Sequence, residues 1–171
     1  DAIIHHADVR RMLLTQKAVA EGGRAMIYHA AQLADKMNDA LMRGDTAAFE
    51  AHDDHLGFYT PILKGFLTEM GYEAANHGMQ VYGGHGYIKE WGMEQIVRDS
   101  RISTLYEGTT GVQALDLIGR KVLLSSKGKV IRDYTAEILK FCGQHARNKY
   151  MRRFAWDLTK LCAQWNALTV R

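Results

Sequence analysis

Proline is almost absent: the 171-residue chain has one, Pro61. So little proline leaves long helices uninterrupted and argues against a fold built from many turns. Cysteine is as scarce. Cys142 and Cys162 stand alone without CxxC spacing, which indicates neither a disulfide framework nor a zinc site. The expected setting is therefore reducing and intracellular. No run of eighteen apolar residues exists, so no segment reads as a membrane-spanning helix. The opening Asp1-Ala2-Ile3-Ile4-His5-His6 lacks a basic-then-apolar leader pattern and does not begin with Met, so the expectation is a piece of a longer polypeptide. Charge of one sign is missing too. The formal net charge is +3, and the basic cluster Arg147, Lys149, Arg152 and Arg153 reads as a solvated helix face rather than a nucleic-acid patch. What remains is 47% hydrophobic and 24% charged, the balance of an ordinary globular chain. Its length suits one domain, or one domain with a short appendage.

Apolar spacing predicts an all-α protein. Val9, Met12, Leu13, Val19, Met26, Ile27, Ala30, Leu33, Met37 and Leu41 fall in steps of three, four and seven, forming one stripe along a long helix that ends near Gly44. Gly22-Gly23 within it each lose roughly 1 kcal/mol of helix propensity against Ala, which predicts close packing on another helix there. A second helix starts near Thr46 and runs to Gly83, with Pro61 expected to kink it or to begin a new segment. A third covers residues 93–103. A fourth opens at Thr110, where Thr110-Gly111-Val112-Gln113 has capping-box spacing, and continues through Leu123. Residues 125–129 form a polar linker. Beyond it, residues 130–170 read as one or two helices with Ile131, Ile138, Leu139, Phe141, Phe154, Leu158, Leu161 and Trp165 as core candidates. Short connections make an up-and-down helical bundle the expected architecture, residues 1–124, followed by a helical extension, residues 125–171.

Three groups of residues could carry chemistry. The histidines do not make a di-iron site, because no Glu is followed by His at i+3. His52-Asp53-Asp54-His55 has ligand-type residues but no matching second helix, so no metal is expected. Gly83-Gly84-His85-Gly86 reads as a helix C-cap and tight turn, or as a backbone that lets a phosphate or cofactor approach. It has neither the dinucleotide-binding nor the P-loop glycine spacing. Glu107, in Tyr106-Glu107-Gly108-Thr109-Thr110, either complements the dipole of the following helix or stands at a cavity wall as a base.

The combination is more specific than its parts. Gln80-Val81-Tyr82-Gly83-Gly84-His85-Gly86-Tyr87, then Arg98-Asp99-Ser100-Arg101-Ile102, then Tyr106-Glu107-Gly108-Thr109, ending in Gln113, resembles the acyl-CoA dehydrogenase family in order and spacing. The signature covers about a quarter of the chain, and the wider likeness spans residues 7–124. The Tyr-Glu-Gly-Thr-Thr-Gly-Val-Gln form and the helices after the linker resemble the larger members with a C-terminal extension.

The resemblance implies oxidation of an acyl-CoA thioester to the trans-2-enoyl-CoA, with FAD as hydride acceptor. Glu107 matches the family's base, and its own backbone N–H matches a donor to the thioester carbonyl. Tyr106 and Gly108 match residues of the acyl pocket. Gln80, Gly83 and Gly84 match a segment along the ADP part of FAD held mainly by a neighbouring subunit, and Thr109 matches a threonine near the FAD phosphates. Gly111 departs from the family, which has Glu or Gln there, so only backbone could meet FAD at that position. Arg98, Asp99 and Arg101 are expected to form a structural ion-pair network. The implied partners are electron-transfer flavoprotein and a second or further copies of the chain, as homodimer or homotetramer, with no nucleic acid. The implied setting is a bacterial cytoplasm, with a mitochondrial matrix as the alternative. The family's N-terminal and middle domains have no counterpart here, so the expectation is a C-terminal helical domain that alone is inactive and holds FAD weakly or not at all. An acyl-CoA oxidase of the same fold and a non-catalytic helical oligomerisation module are the other readings.

Overall fold

A computed structural model describes residues 2–169 and contains only helices and their connections among them. Asp1, and Val170 at the expected end of the last helix, lie outside the described residues. The chain forms two compact units that divide after Leu115.

In the first unit, α1 (Ala7–Met42) and α2 (Thr46–Tyr82) are long and antiparallel, joined by a turn at Gly44 and the Asp45 cap. Asp45 accepts the Ala48 N–H at 3.0 Å, so its carboxylate satisfies one of the free donors of α2. Met12, Ala30, Leu33 and Ala40 of α1 and Phe58 of α2 are buried in this unit. Ile27 and Leu41, expected in the stripe, are instead more than half exposed, because the buried face is narrower than the apolar one. Gly23 is buried, with Leu67 3.1 Å from the place a Cβ would occupy, while Gly22 faces open space. Close packing thus accounts for one of the two glycines.

Pro61 does not begin a new segment. α2 is helical throughout, with Pro61 buried inside it, so burial outweighs the one backbone hydrogen bond that proline removes. Gly83 ends α2 at φ 62°, and a single turn, α3 (Gly84–Tyr87), doubles back. A Cβ on Gly86 would lie 2.4 Å from the Met79 carbonyl oxygen. Gly86→Ala is expected to destabilise the chain by about 1–3 kcal/mol, read as a lower urea midpoint. An unchanged midpoint would show that the turn yields freely. α4 (Met93–Ile102) then packs back on α2, where the Met93 methyl lies 3.0 Å from the place a Cβ on Gly78 would occupy. α5 (Thr110–Leu115) ends the unit.

The helix expected from Thr110 through Leu123 is α-helical only to Leu115. The second unit starts with wider π-helical turns over Asp116–Ser125, and periodicity does not separate i+4 from i+5 bonding. α6 (Lys129–His145) and α7 (Arg152–Thr169) follow, and the turn leading into α7 is closed by the Asn148 side chain, which accepts from the Tyr150 and Met151 N–H groups. The basic cluster is exposed, but Arg147 and Lys149 lie in the connection between these helices rather than on one face.

The core of this unit holds Val122, Val130, Ile131, Cys142, Ala155 and Cys162, α7 contributing its small Ala155 and Cys162. Ile131 was expected there; Leu139, Phe141, Phe154 and Leu161 were too, yet they are 40% or more exposed. Phe154/Leu161 and Ala155/Cys162 have the same seven-residue spacing one position apart. Periodicity alone does not choose between such neighbouring stripes, and close approach of α6 and α7 selects the small one. Both cysteines are free, and burial, with Cys142 nearby, pushes the Cys162 thiol up. Iodoacetamide at mildly alkaline pH should therefore label Cys162 more slowly in the folded chain than in urea, measured by mass spectrometry; equal rates would contradict this packing.

Candidate functional site

The candidate residues fall at two places along α2. Gln80, Gly83 and Gly84 are exposed at its C-terminal end. A Cβ on Gly83 or Gly84 would meet nothing within 4 Å, so the surface of this bend is open to a group from outside. The turn at residues 106–110 is anchored at mid-helix by Lys64 and Glu69. At 1.5 Å rise per residue, these anchors lie roughly 16–24 Å along α2 from Gln80. The structure does not gather all the candidates into one pocket.

Glu107 is a non-glycine residue in the left-handed region, at φ 56°, followed by Gly108 at φ 93°. The carbonyls of this turn are taken up by side chains. Gln113 Nε2 donates to the Glu107 carbonyl at 3.0 Å, and Lys64 Nζ donates to that of Gly108. Thr110 donates its hydroxyl to Glu69 Oε1 at 2.6 Å. The capping box expected of Thr110 and Gln113 is therefore not made, because both side chains have partners outside it. Glycine at 108 is favoured by its φ of 93°, which L side chains rarely adopt, and a Cβ there would also displace Gln113 Nε2, 2.8 Å away.

The Glu107 carboxylate is exposed and forms no hydrogen bond or ion pair among the described residues. Tyr106 is 53% exposed beside it. Thr109 lines a hollow of about 340 Å³ with Glu69, Tyr72, Arg101, Thr110 and Gly111. Glu107 is not part of that lining. Among the described residues no hollow encloses the Glu107 carboxylate.

Arg98, Asp99 and Arg101 do not form the expected ion-pair network. Asp99 accepts from Gln95 at 2.7 Å, and Arg101 lies over the Tyr72 ring, 5.6 Å from its centre, while donating to Thr104. Described ion pairs join residues three or four apart on one helix, which fixed helical spacing favours over contacts between elements. The three residues instead line a larger hollow of about 870 Å³, with Tyr72, Tyr87 and Leu105. Among the described residues no three His, Cys, Asp or Glu side chains are placed to hold a metal ion, and no helix is long and apolar enough to cross a membrane.

Reading the sequence missed Lys64, Glu69 and Tyr72. The signal for Lys64 was present, since it is a lone charge within the apolar run Pro61-Ile62-Leu63-Lys64-Gly65-Phe66-Leu67.

The family model "Acyl-CoA dehydrogenase, C-terminal domain" matches residues 1–123. The chain belongs to the acyl-CoA dehydrogenase family. It is similar to a 3-methylmercaptopropionyl-CoA dehydrogenase of Ruegeria pomeroyi, 46% identical over 71% of this chain and 20% of the relative. A butyryl-CoA dehydrogenase of Syntrophomonas wolfei is 32% identical over 97% of this chain and 26% of the relative, so that likeness extends through the second unit. The CarC subunit of a caffeyl-CoA reductase–Etf complex from Acetobacterium woodii is 31% identical over 63% of this chain and 24% of the relative. The chain thus spans about a fifth to a quarter of the length of these relatives.

Proposed function

We propose that this chain is the C-terminal helical domain of an FAD-dependent acyl-CoA dehydrogenase in which Glu107 removes the α-proton of an acyl-CoA. The observation that carries the reading is the Glu107-Gly108 turn: a carboxylate with no bond to its own chain, on a backbone whose two carbonyls are held. A base acts by hydrogen-bond reach to the proton it takes, and such a turn fixes the direction of both its carboxylate and its N–H. The Glu107 N–H would donate to the thioester carbonyl, and Tyr106 and Gly108 would flank the acyl chain. The remainder of a protein as long as the relatives would cover this surface and exclude water from it.

FAD, when bound, supplies the hydride acceptor. The residues fit it as two partial contacts rather than as a complete site. The open backbone at Gly83 and Gly84, with Gln80, would meet the ADP part of a flavin held mainly by a neighbouring subunit. Thr109, beside the open Gly111, would meet the phosphates. A hollow of about 340 Å³ holds only a portion of such a molecule. Accordingly, the 171-residue chain alone is expected to be colourless and without acyl-CoA turnover. Purification with stoichiometric yellow flavin would overturn this.

Exposed Ile27, Tyr28, Phe66 and Ile96 support self-association as a homodimer or homotetramer. The Etf complex named for the Acetobacterium relative supports electron-transfer flavoprotein as acceptor. The named relatives are bacterial, which supports a bacterial cytoplasmic setting.

A further inference from the structure

A left-handed residue with a Cβ, followed by a second positive φ, holds its shape only when its surroundings determine it. At Glu107 and Gly108 the surroundings are three side-chain contacts. Gln113 takes the Glu107 carbonyl from the following helix. Lys64 takes the Gly108 carbonyl from α2, 44 residues away in sequence, and Glu69, one turn further along, takes the Thr110 hydroxyl. Between them α5 packs directly over Gly65, where a Cβ would lie at van der Waals distance from Gln113 Cβ (3.7 Å) and Thr110 Cγ2 (3.9 Å). Lys64 is half-buried, and no carboxylate pairs with it among the described residues. Its ammonium is committed to a backbone oxygen, a charge-assisted bond stronger than a neutral one.

We propose that Lys64 is a positioning residue: by holding the Gly108 carbonyl from α2, it fixes the left-handed turn that aims the Glu107 carboxylate and N–H. This rests on Glu107 being the base. Lys64 does not touch substrate; it acts through the turn. Misplacement of a reacting group by about 1 Å is enough to lower a rate on the order of 10²-fold.

The test uses the intact flavoenzyme, with straight-chain acyl-CoA thioesters and an artificial electron acceptor. Lys64→Met removes the donor and keeps the chain length. It is expected to lower kcat on the order of 10²-fold, with KM and flavin content little changed, and Lys64→Arg should restore most of kcat. Hydrogen–deuterium exchange without substrate should be faster at residues 107–110 in Lys64→Met and unchanged in the middle of α1. A merely structural role would instead loosen α1 and α2 together. Wild-type kcat and wild-type exchange in Lys64→Met would overturn the proposal. Where Lys64→Met does not fold, Lys64→Gln decides, its amide being too short to reach: lost kcat with retained flavin supports the clamp, and wild-type kcat overturns it. Glu107→Gln separates the two claims. If that variant turns over normally, the base assignment fails; if it is inactive beside a fully active Lys64→Met, only the Lys64 role fails.

Discussion

Glu107→Gln in the intact flavoenzyme should lose about 10²–10⁴-fold in kcat, with acyl-CoA still bound and flavin still in place. The substitution keeps size and polarity but removes the only group on the turn able to accept a carbon-bound proton. Since the wild-type carboxylate forms no bond with its own chain, no structural partner is orphaned by the change. The loss should therefore appear in the rate at which substrate bleaches the flavin, and not in the melting temperature. Retained bleaching at the original rate would remove Glu107 from the reaction. The helical oligomerisation reading would then gain.

Phe58→Ala should destabilise the first unit by about 3–5 kcal/mol. Phe58 is fully buried on α2 and set edge-on to Tyr59, with ring centres 6.2 Å apart. Its removal leaves a cavity in the largest helix pair, where long straight helices have little freedom to collapse. Leu41→Ala serves as the comparison. Leu41 is as apolar but 61% exposed, and its loss should shift stability by no more than about 0.5 kcal/mol. Urea unfolding followed by circular dichroism measures both. Equal effects would mean that the α1–α2 face is drawn at the wrong angle.

Much of the fold was legible because helices announce themselves by spacing and by their ends. The boundaries at Thr46, Gly83 and Met93 match the helix ends found, and the glycines at 83–84 are the clearest of these local signals. Where two local signals coincided, the choice lay in packing. Phe154 and Ala155 start stripes of identical period, and only the approach of α6 to α7 selects the smaller side chain. Pro61 carries a strong local penalty that its burial outweighs. Charge was the least legible. Arg98, Asp99 and Arg101 alternate in sign, yet they face a hollow and an aromatic ring, because opposite charges close in sequence need not be close across a helix. The turn at Glu107 was found through its motif, but its support was not. Lys64 and Glu69 reach it from about forty residues away, a contact that only the α2–α5 packing creates.

The measurement closest to the chemistry is α-proton exchange. The intact enzyme is incubated in D₂O with a saturated acyl-CoA and no electron acceptor, and deuterium at the thioester α-carbon is followed by NMR. Wild-type enzyme should wash deuterium into that carbon, and Glu107→Gln should not. Equal incorporation in both would contradict the assignment of the base.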